Sequence, residues 1–426
     1  MSLSGSKKAI IIVIPVLILI LIATAIYFVM HAKGYWNRDE LPVQEWQDPG
    51  SAAENSDWVA DVVRREKLEA RLLKLCGTEL GIASYYILPI RSEALPAERS
   101  TRFNSSDQLL YGRYLAEQKR IEDFTEWHKN FRKYYISNDT VVSYIDVNDN
   151  LDIASAETSY AATLNYVSVL MSAYQAKPQL TLLREIEELS ELLLEEFADG
   201  IPEPDMQLAI PTVAQAPDPA ATPTPAPIVS PTPEPAPIYD LIRLASIDLK
   251  AMYRLTDIDQ RWHTIYEKWL ATVSSGLISE QLPLYALAVW PQLDNYLNFI
   301  GDSGAVASKE STISALSLAE VGAADQRAIR WINDQLLNNF AIYETYNIIQ
   351  GHSMTQIENP SVYGLTARIG RVLKDRTLYE KSIERLIWHT ATSQRSDALD
   401  AIFRQDENGV VTVWAEDNLW ALLAYY

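Results

Sequence analysis

The sequence predicts an all-α fold: a closed toroid of six helix hairpins, preceded by one transmembrane helix. Three observations carry this expectation. A polar stretch ending in an acid, an apolar helix and a more charged amphipathic helix recur as one unit six times after residue 100. The acids that open the units are spaced by 50, 83, 70, 48 and 59 residues, and the step of 83 contains a 36-residue insertion. Residues 9–30 are 22 consecutive uncharged, almost wholly apolar residues.

As a helix that run spans about 33 Å, matching a bilayer core of roughly 30 Å. Lys7 and Lys8 precede it, so the positive-inside rule places residues 1–8 in the cytoplasm and the rest of the chain outside. Ala23-Thr24-Ala25 has the form of a signal-peptide cleavage site, but the run stays apolar to Met30, which favours a retained anchor. Both readings export the bulk of the chain. The expected protein is therefore single-pass in the cytoplasmic membrane, with an extracytoplasmic C-terminal domain. Residues 31–53 are polar, with Gly and Pro, and read as a juxtamembrane spacer. Residues 54–426 make the toroid.

The first unit opens at Asn104-Ser105-Ser106-Asp107 and the second at Ser155-Ala156-Glu157. The third opens at Tyr239-Asp240, the fourth at Ser308-Lys309-Glu310, the fifth at Glu358-Asn359-Pro360 and the sixth at Glu416-Asp417. Ser105, Ser155 and Ser308 are helix N-cap types, and Asn359 before Pro360 is a cap with Pro at the first helical position. The sixth apolar helix has no partner after it. The stretch 57–75, SDWVADVVRREKLEARLLKL with its neighbours, supplies one and closes the ring. Residues 202–237 hold 12 of the 21 prolines and cannot pack a core. Removing this stretch turns the step of 83 into 47, so it reads as a disordered loop inserted into one domain.

Composition excludes several classes of function. Lys plus Arg is 36 against 56 Asp plus Glu, a net charge of −20. Nucleic-acid binding and docking on anionic head groups both need the opposite sign. One cysteine, Cys76, excludes a disulfide framework and a cysteine-based metal centre. The five histidines show no HxxxH or HExxH spacing, and no P-loop, dinucleotide-binding glycine pattern or GxSxG is present. No metal or cofactor is expected.

Each opening acid, taken alone, is an ordinary helix cap stabilised by the helix dipole. In a closed ring of parallel inner helices, all six converge on one mouth. Several carboxylates around a cavity suit general acid–base chemistry on a sugar. Aromatic residues suited to stacking on sugar faces are Tyr111, Tyr160, Trp290, Tyr363 and Trp414, all equally consistent with core packing. Arg243 and Lys250 are placed to pair with the mouth acids.

Over roughly residues 55–426 the chain resembles glycoside hydrolase family 8, especially its membrane-associated relatives in bacterial exopolysaccharide clusters. The stretches Gly276–Tyr285, Ser317–Gly322, Glu358–Gly364, Leu378–Leu386 and Asp417–Leu423 carry the likeness. The resemblance implies an (α/α)6 barrel and inverting cleavage of β-1,4-linked glucan, xylan or chitosan. The family's general acid is a Glu in a Ser-Glu-Gly-Gln-like start of the first inner helix; this chain has Ser105-Ser106-Asp107-Gln108. Its second inner helix starts with Asp-x-Asp-Leu, against Ala156-Glu157-Thr158-Ser159 here. The expected roles are Asp107 as proton donor, Glu157 holding the sugar at the cleavage point, and Asp240 or Asp248 activating water. Tyr111, Tyr160, Arg243, Lys250, Glu310, Glu358, Tyr363, Trp414 and Asp417 are the expected substrate-binding residues. The enzyme reading is an endo-glycanase that trims a secreted polysaccharide. The alternative is a catalytically inactive glycan-binding or scaffold subunit that partners polysaccharide synthesis and export proteins.

Overall fold

A computed structural model describes residues 61–89, 96–149, 156–209, 238–292, 295–299 and 304–425, together with Thr24, Trp46 and Trp58. The predicted cytoplasmic segment 1–8, the span 9–30 (Thr24 excepted) and residues 210–237 of the Pro-rich stretch lie outside the described residues. Among the described residues no helix is long and apolar enough to cross a membrane. The fold below is that of the compact unit Trp46–Tyr426.

Twelve α-helices are described: α1 (Val62–Cys76), α2 (Ser105–Glu117), α3 (Ile121–Tyr135), α4 (Tyr160–Ala176), α5 (Leu180–Glu196) and α6 (Leu249–Leu255), then α7 (Arg261–Ser275), α8 (Ser308–Glu320), α9 (Gln326–Asp334), α10 (Pro360–Val372), α11 (Arg376–Trp388) and α12 (Ala415–Ala424). The inner helices touch in the cyclic order α2, α4, α6, α8, α10, α12 and back to α2, and α1 packs against α12. This is a closed (α/α)6 barrel. The inner helices are buried nearly all round; α4 and α10 bury 11 residues each. Outer helices bury one stripe, as α3 does with Phe124, Phe131 and Tyr135.

Two glycines set the closest helix approaches. A Cβ on Gly112 would meet the Trp127 ring at 2.4 Å, and one on Gly364 would meet the Trp420 main chain at 2.7 Å. A ring can rotate, whereas the backbone of a neighbouring inner helix cannot. Gly364→Ala is therefore expected to destabilise the barrel by about 1–3 kcal/mol through overpacking. That outweighs the gain in helix propensity of roughly 1 kcal/mol, and the urea midpoint is the measurement that checks it.

The inner helices begin at the mouth, and short antiparallel strands hook their starts together. The Ser105 N–H and Oγ donate to the Ser143 carbonyl at 3.1 and 2.9 Å, and the Ser143 N–H donates to Glu157 O at 2.7 Å. The fourth unit repeats this arrangement with Ser308, Glu344 and Ile357. Ser105 and Ser308 are thus first helical residues tied to a strand, not the side-chain caps expected, and Ser155 lies outside the described residues. Genuine side-chain caps are Asp61, Ser159, Asp248, Asp325, Asn359 and Asp375.

The third unit departs from expectation. Ile238–Arg243 is a strand, paired on one edge with Met206–Ala209 and on the other with Ala288–Trp290. A 3-10 turn, Leu244–Ser246, follows, and α6 starts only after Asp248. Partners remote in sequence satisfy this backbone as sheet, overriding its local helical pattern. Residues 206–209 of the expected disordered loop are consequently an ordered strand. Because Ala209 and Ile238 are Cα partners, the insertion leaves and re-enters through one hairpin.

At the far end of the barrel Trp46, inside the expected spacer, is 5% exposed. Its indole donates to Arg254 O at 3.1 Å, and its ring packs edge-on against Tyr174. Arg254 and Tyr174 are in the last turns of α6 and α4, so this tryptophan covers the end opposite the mouth.

Candidate functional site

A cavity of about 340 Å³ opens at the mouth, where α2, α4, α6, α8 and α12 meet. Its wall is rich in hydroxyls and amides, including Ser106, Ser143, Ser159, Ser246, Asn104 and Asn165, with Leu109, Ile313 and Trp420 as apolar surface. Three carboxyl groups line it: Asp248, Glu320 and Glu416.

Asp248 is the N-cap of α6 and accepts the Ala251 N–H at 2.9 Å. Burial, reinforced by the charge of Glu320, pushes its carboxyl above the ordinary range. Glu416, in the first turn of α12, accepts from the Lys309 ammonium at 3.0 and 3.1 Å. Burial opposes the Lys309 charge, but Glu416 and Glu310 more than offset it and raise its pKa.

The floor is a buried charge network. Arg113 donates to Glu117 at 2.9 Å and to Glu320 at 2.5 Å. Arg368 reaches Glu117 at 2.9 Å and Glu320 at 3.5 Å, and Lys250 stands 3.7 Å from Glu320. Four inner helices, α2, α6, α8 and α10, are thereby joined across the lumen. Burial alone would raise the Glu320 carboxyl; Arg113, Lys250 and Arg368 override it and hold it at about 2.

The structure distributes the sequence-predicted residues unevenly. Asp248 lines the cavity, and Lys250 lies in its floor. Asp107 is 2% exposed, turned into the wall, where Asn104 Nδ2 donates to it at 3.3 Å. Burial and then the charge of Glu416 push its carboxyl to about 8. Ser106, one residue before Asp107, faces the cavity instead. Glu157 is exposed and precedes the α4 cap by two residues; its backbone, not its carboxylate, braces the mouth. Asp240 is exposed on the strand, bonded to Gln207 at 3.0 Å. Arg243 ends that strand and is exposed, not a turn into a helix as expected. Glu310 stands beside Lys309 at 4.0 Å.

The remaining predicted groups lie outside the cavity lining. Tyr111 donates to Glu69 at 2.9 Å on the α1 side. Tyr160 is buried edge-on to Phe197, and Trp290 stands edge-on to Tyr239. The buried Tyr363 hydroxyl donates to Glu358, which also accepts from Arg385 at 2.7 Å and is held at about 2 against the effect of burial. Asp417 is 0% exposed; it accepts from Arg404 at 2.6 and 2.7 Å and from Ser361 Oγ at 2.5 Å. Removing it, as in Asp417→Ala, takes the direct carboxylate partner from the partly buried Arg404, leaving its bond to Asn359, and is expected to cost about 3 kcal/mol, read from thermal unfolding. Trp414 is 38% exposed, with Tyr85 at 5.2 Å, two residues before Glu416. Arg113, Glu320 and Ser106 were missed. The available signal was a charge in the later turns of each of two inner helices, after an apolar stretch. Among the described residues no cluster of three or more His, Cys, Asp or Glu is arranged to hold a metal ion.

No model of a known protein family matches the chain, and no curated protein matches it. Solved structures do. An α-amylase from Clostridium perfringens aligns with a TM-score of 0.65 at 20% identity, covering 85% of this chain and 97% of that one. PssZ from Listeria monocytogenes aligns at 0.56 and 10% identity, covering 90% and 98%. A reducing-end-xylose-releasing exo-oligoxylanase complexed with xylobiose aligns at 0.52 and 10% identity, covering 86% and 92%. The likeness is one of fold: this chain has the architecture of glycoside hydrolases built as (α/α)6 barrels.

Proposed function

We propose that the protein is a glycoside hydrolase-like enzyme that takes a polysaccharide chain into the mouth cavity and cleaves it by acid–base chemistry. The observation that carries this reading is Asp248: a carboxyl in the cavity wall, raised above its ordinary range by burial, in the same cavity as the lysine-paired Glu416. Two carboxyl groups in one cavity, one serving as acid and the other as base, are what inverting glycoside hydrolysis uses. Asp248 is the proton donor in this reading, replacing Asp107, and Glu416 the group that activates water. The apolar run 9–30 anchors the enzyme, and the substrate is a secreted polysaccharide. The family resemblance favours a β-1,4 linkage.

A second reading is favoured by Asp107, the acid expected from the resemblance, being turned into the wall and away from the cavity. In it, the cavity binds glycan without cleaving it and serves synthesis or export proteins. Reducing-end release by residues 46–426 on β-1,4-glucan, xylan, chitosan, starch and the host's own exopolysaccharide separates the two. Starch belongs in the panel because one structural neighbour is named an α-amylase. Release by the native chain supports the enzyme; binding to one polymer with no release selects the second reading.

A further inference from the structure

The stretch 243–249 carries Ser246 and Asp248 into the cavity, and besides the Arg243–Ala288 strand pairing and a Ser168–Asp248 hydrogen bond three partners hold it. The Leu244 N–H donates to Leu287 O at 3.1 Å, from the strand on one side. Ser317 on α8 bridges Ile247 O and the Leu249 N–H, at 2.9 and 3.1 Å. The third partner is Asp205, which stands just before the strand Met206–Ala209, at the foot of the hairpin that carries the Pro-rich insertion. Its Oδ1 accepts the Arg243 N–H at 2.8 Å, and its Oδ2 accepts the Ser246 hydroxyl. Its own N–H donates to Leu241 O at 3.2 Å.

Leu287 and Ser317 belong to the barrel and its loops. Asp205 comes from the arm of the insertion, yet both its oxygens are used on the turn that leads into Asp248. Ser246, one of its two partners, faces the cavity directly. We propose that Asp205 is a positioning residue: from the root of the insertion it fixes the 243–246 turn and so sets Ser246 and Asp248 in the cavity wall. The root of the insertion is therefore built into the turn that borders the site. The assignment of Asp248 as proton donor rests on the function proposed above; the clamp itself does not.

The test uses the native barrel and Asp205→Ala, with Asp205→Asn as the conservative variant that keeps one acceptor. Amide hydrogen exchange is followed at Leu244, Ile247 and Leu249, and at α10 as a remote reference. In Asp205→Ala the three amides are expected to exchange about tenfold faster or more, with α10 unchanged. Turnover of the best polymer is expected to fall on the order of 10²-fold in kcat, with KM nearly unmoved, because the reacting groups lose their alignment and the chain still binds. Asp205→Asn is expected to recover part of both. Unchanged exchange at the three amides overturns the proposal, as does a rise equal to that in α10, which marks a general stability role. If exchange rises locally but the native chain releases no reducing ends from any polymer, the clamp stands and the hydrolase reading falls.

Discussion

Glu320→Ala is expected to lower the stability of the barrel by about 3–5 kcal/mol, among the largest losses available to a single substitution. The glutamate is buried and faces Arg113, Lys250 and Arg368. Removing it takes from three cations a carboxylate that all of them face. The cost is the desolvation of charge left without its counterpart, which exceeds the worth of any one ion pair. Changing Arg113 and Glu320 together to leucine removes one charge of each sign, and should recover part of the loss. The pH dependence follows from the depressed pKa. A carboxyl held at about 2 when folded, against 4.5 when free, favours folding fully above 4.5. That advantage is lost as pH falls from 4.5 towards 2. Denaturant midpoints of the native chain and Glu320→Gln should therefore converge over that window. A gap at pH 2.5 as large as that at neutral pH would show that the network is not held by this charge.

Asp248→Asn is expected to reduce turnover by about 10²–10⁴-fold, the usual range for losing a general acid. Asparagine keeps the shape and the bond from the Ala251 N–H, so the helix start is retained while the proton is lost. In the native chain activity should fall on the alkaline side as Asp248 ionises, and the midpoint of that fall lies above the ordinary aspartate range. Glu320→Gln removes the negative charge that reinforces the effect of burial. Its alkaline limb should move to lower pH, provided the variant is assayed where it is folded. Asp107→Asn is the informative control. Asp107 is also raised, to about 8, but lies inside the wall, so its neutral replacement should leave kcat close to native. Loss of activity in Asp107→Asn with Asp248→Asn intact would restore the assignment made from sequence.

The ring of helices was legible because apolar segments opened by polar residues recur six times along the chain, even though α6 is a helix of only seven residues. The pairing of the stretch near residue 60 with the last helix was legible by counting. The site was legible only as a set of acid types near helix starts. Successive residues on a helix point about 100° apart, so Ser106 faces the cavity while Asp107, its neighbour, is turned into the wall. No composition or spacing argument resolves that difference. Asp240 was misread because the strand around it is stabilised by segments on both sides, neither visible from the local pattern. Glu358 and Asp417 were read as free acids at the mouth; their arginine partners, Arg385 and Arg404, sit 27 and 13 positions away. Arg113 and Glu320 are 207 positions apart and meet only because the ring closes.

The seam between α1 and α12 has a consequence for how the chain matures. Each of the other hairpins is complete soon after its own residues are synthesised. The pair that shuts the circle joins the earliest helix of the barrel to the latest. Until α12 has been made and delivered, the apolar flank of α2 and the inner side of α1 face solvent, and the arginines of the lumen lack their final packing. Closure is thus a single late event spanning the greatest sequence separation in the domain, the kind of contact that slows folding and prolongs exposure to aggregation. Until that event an open crescent of helices is the form that any folding helper would meet.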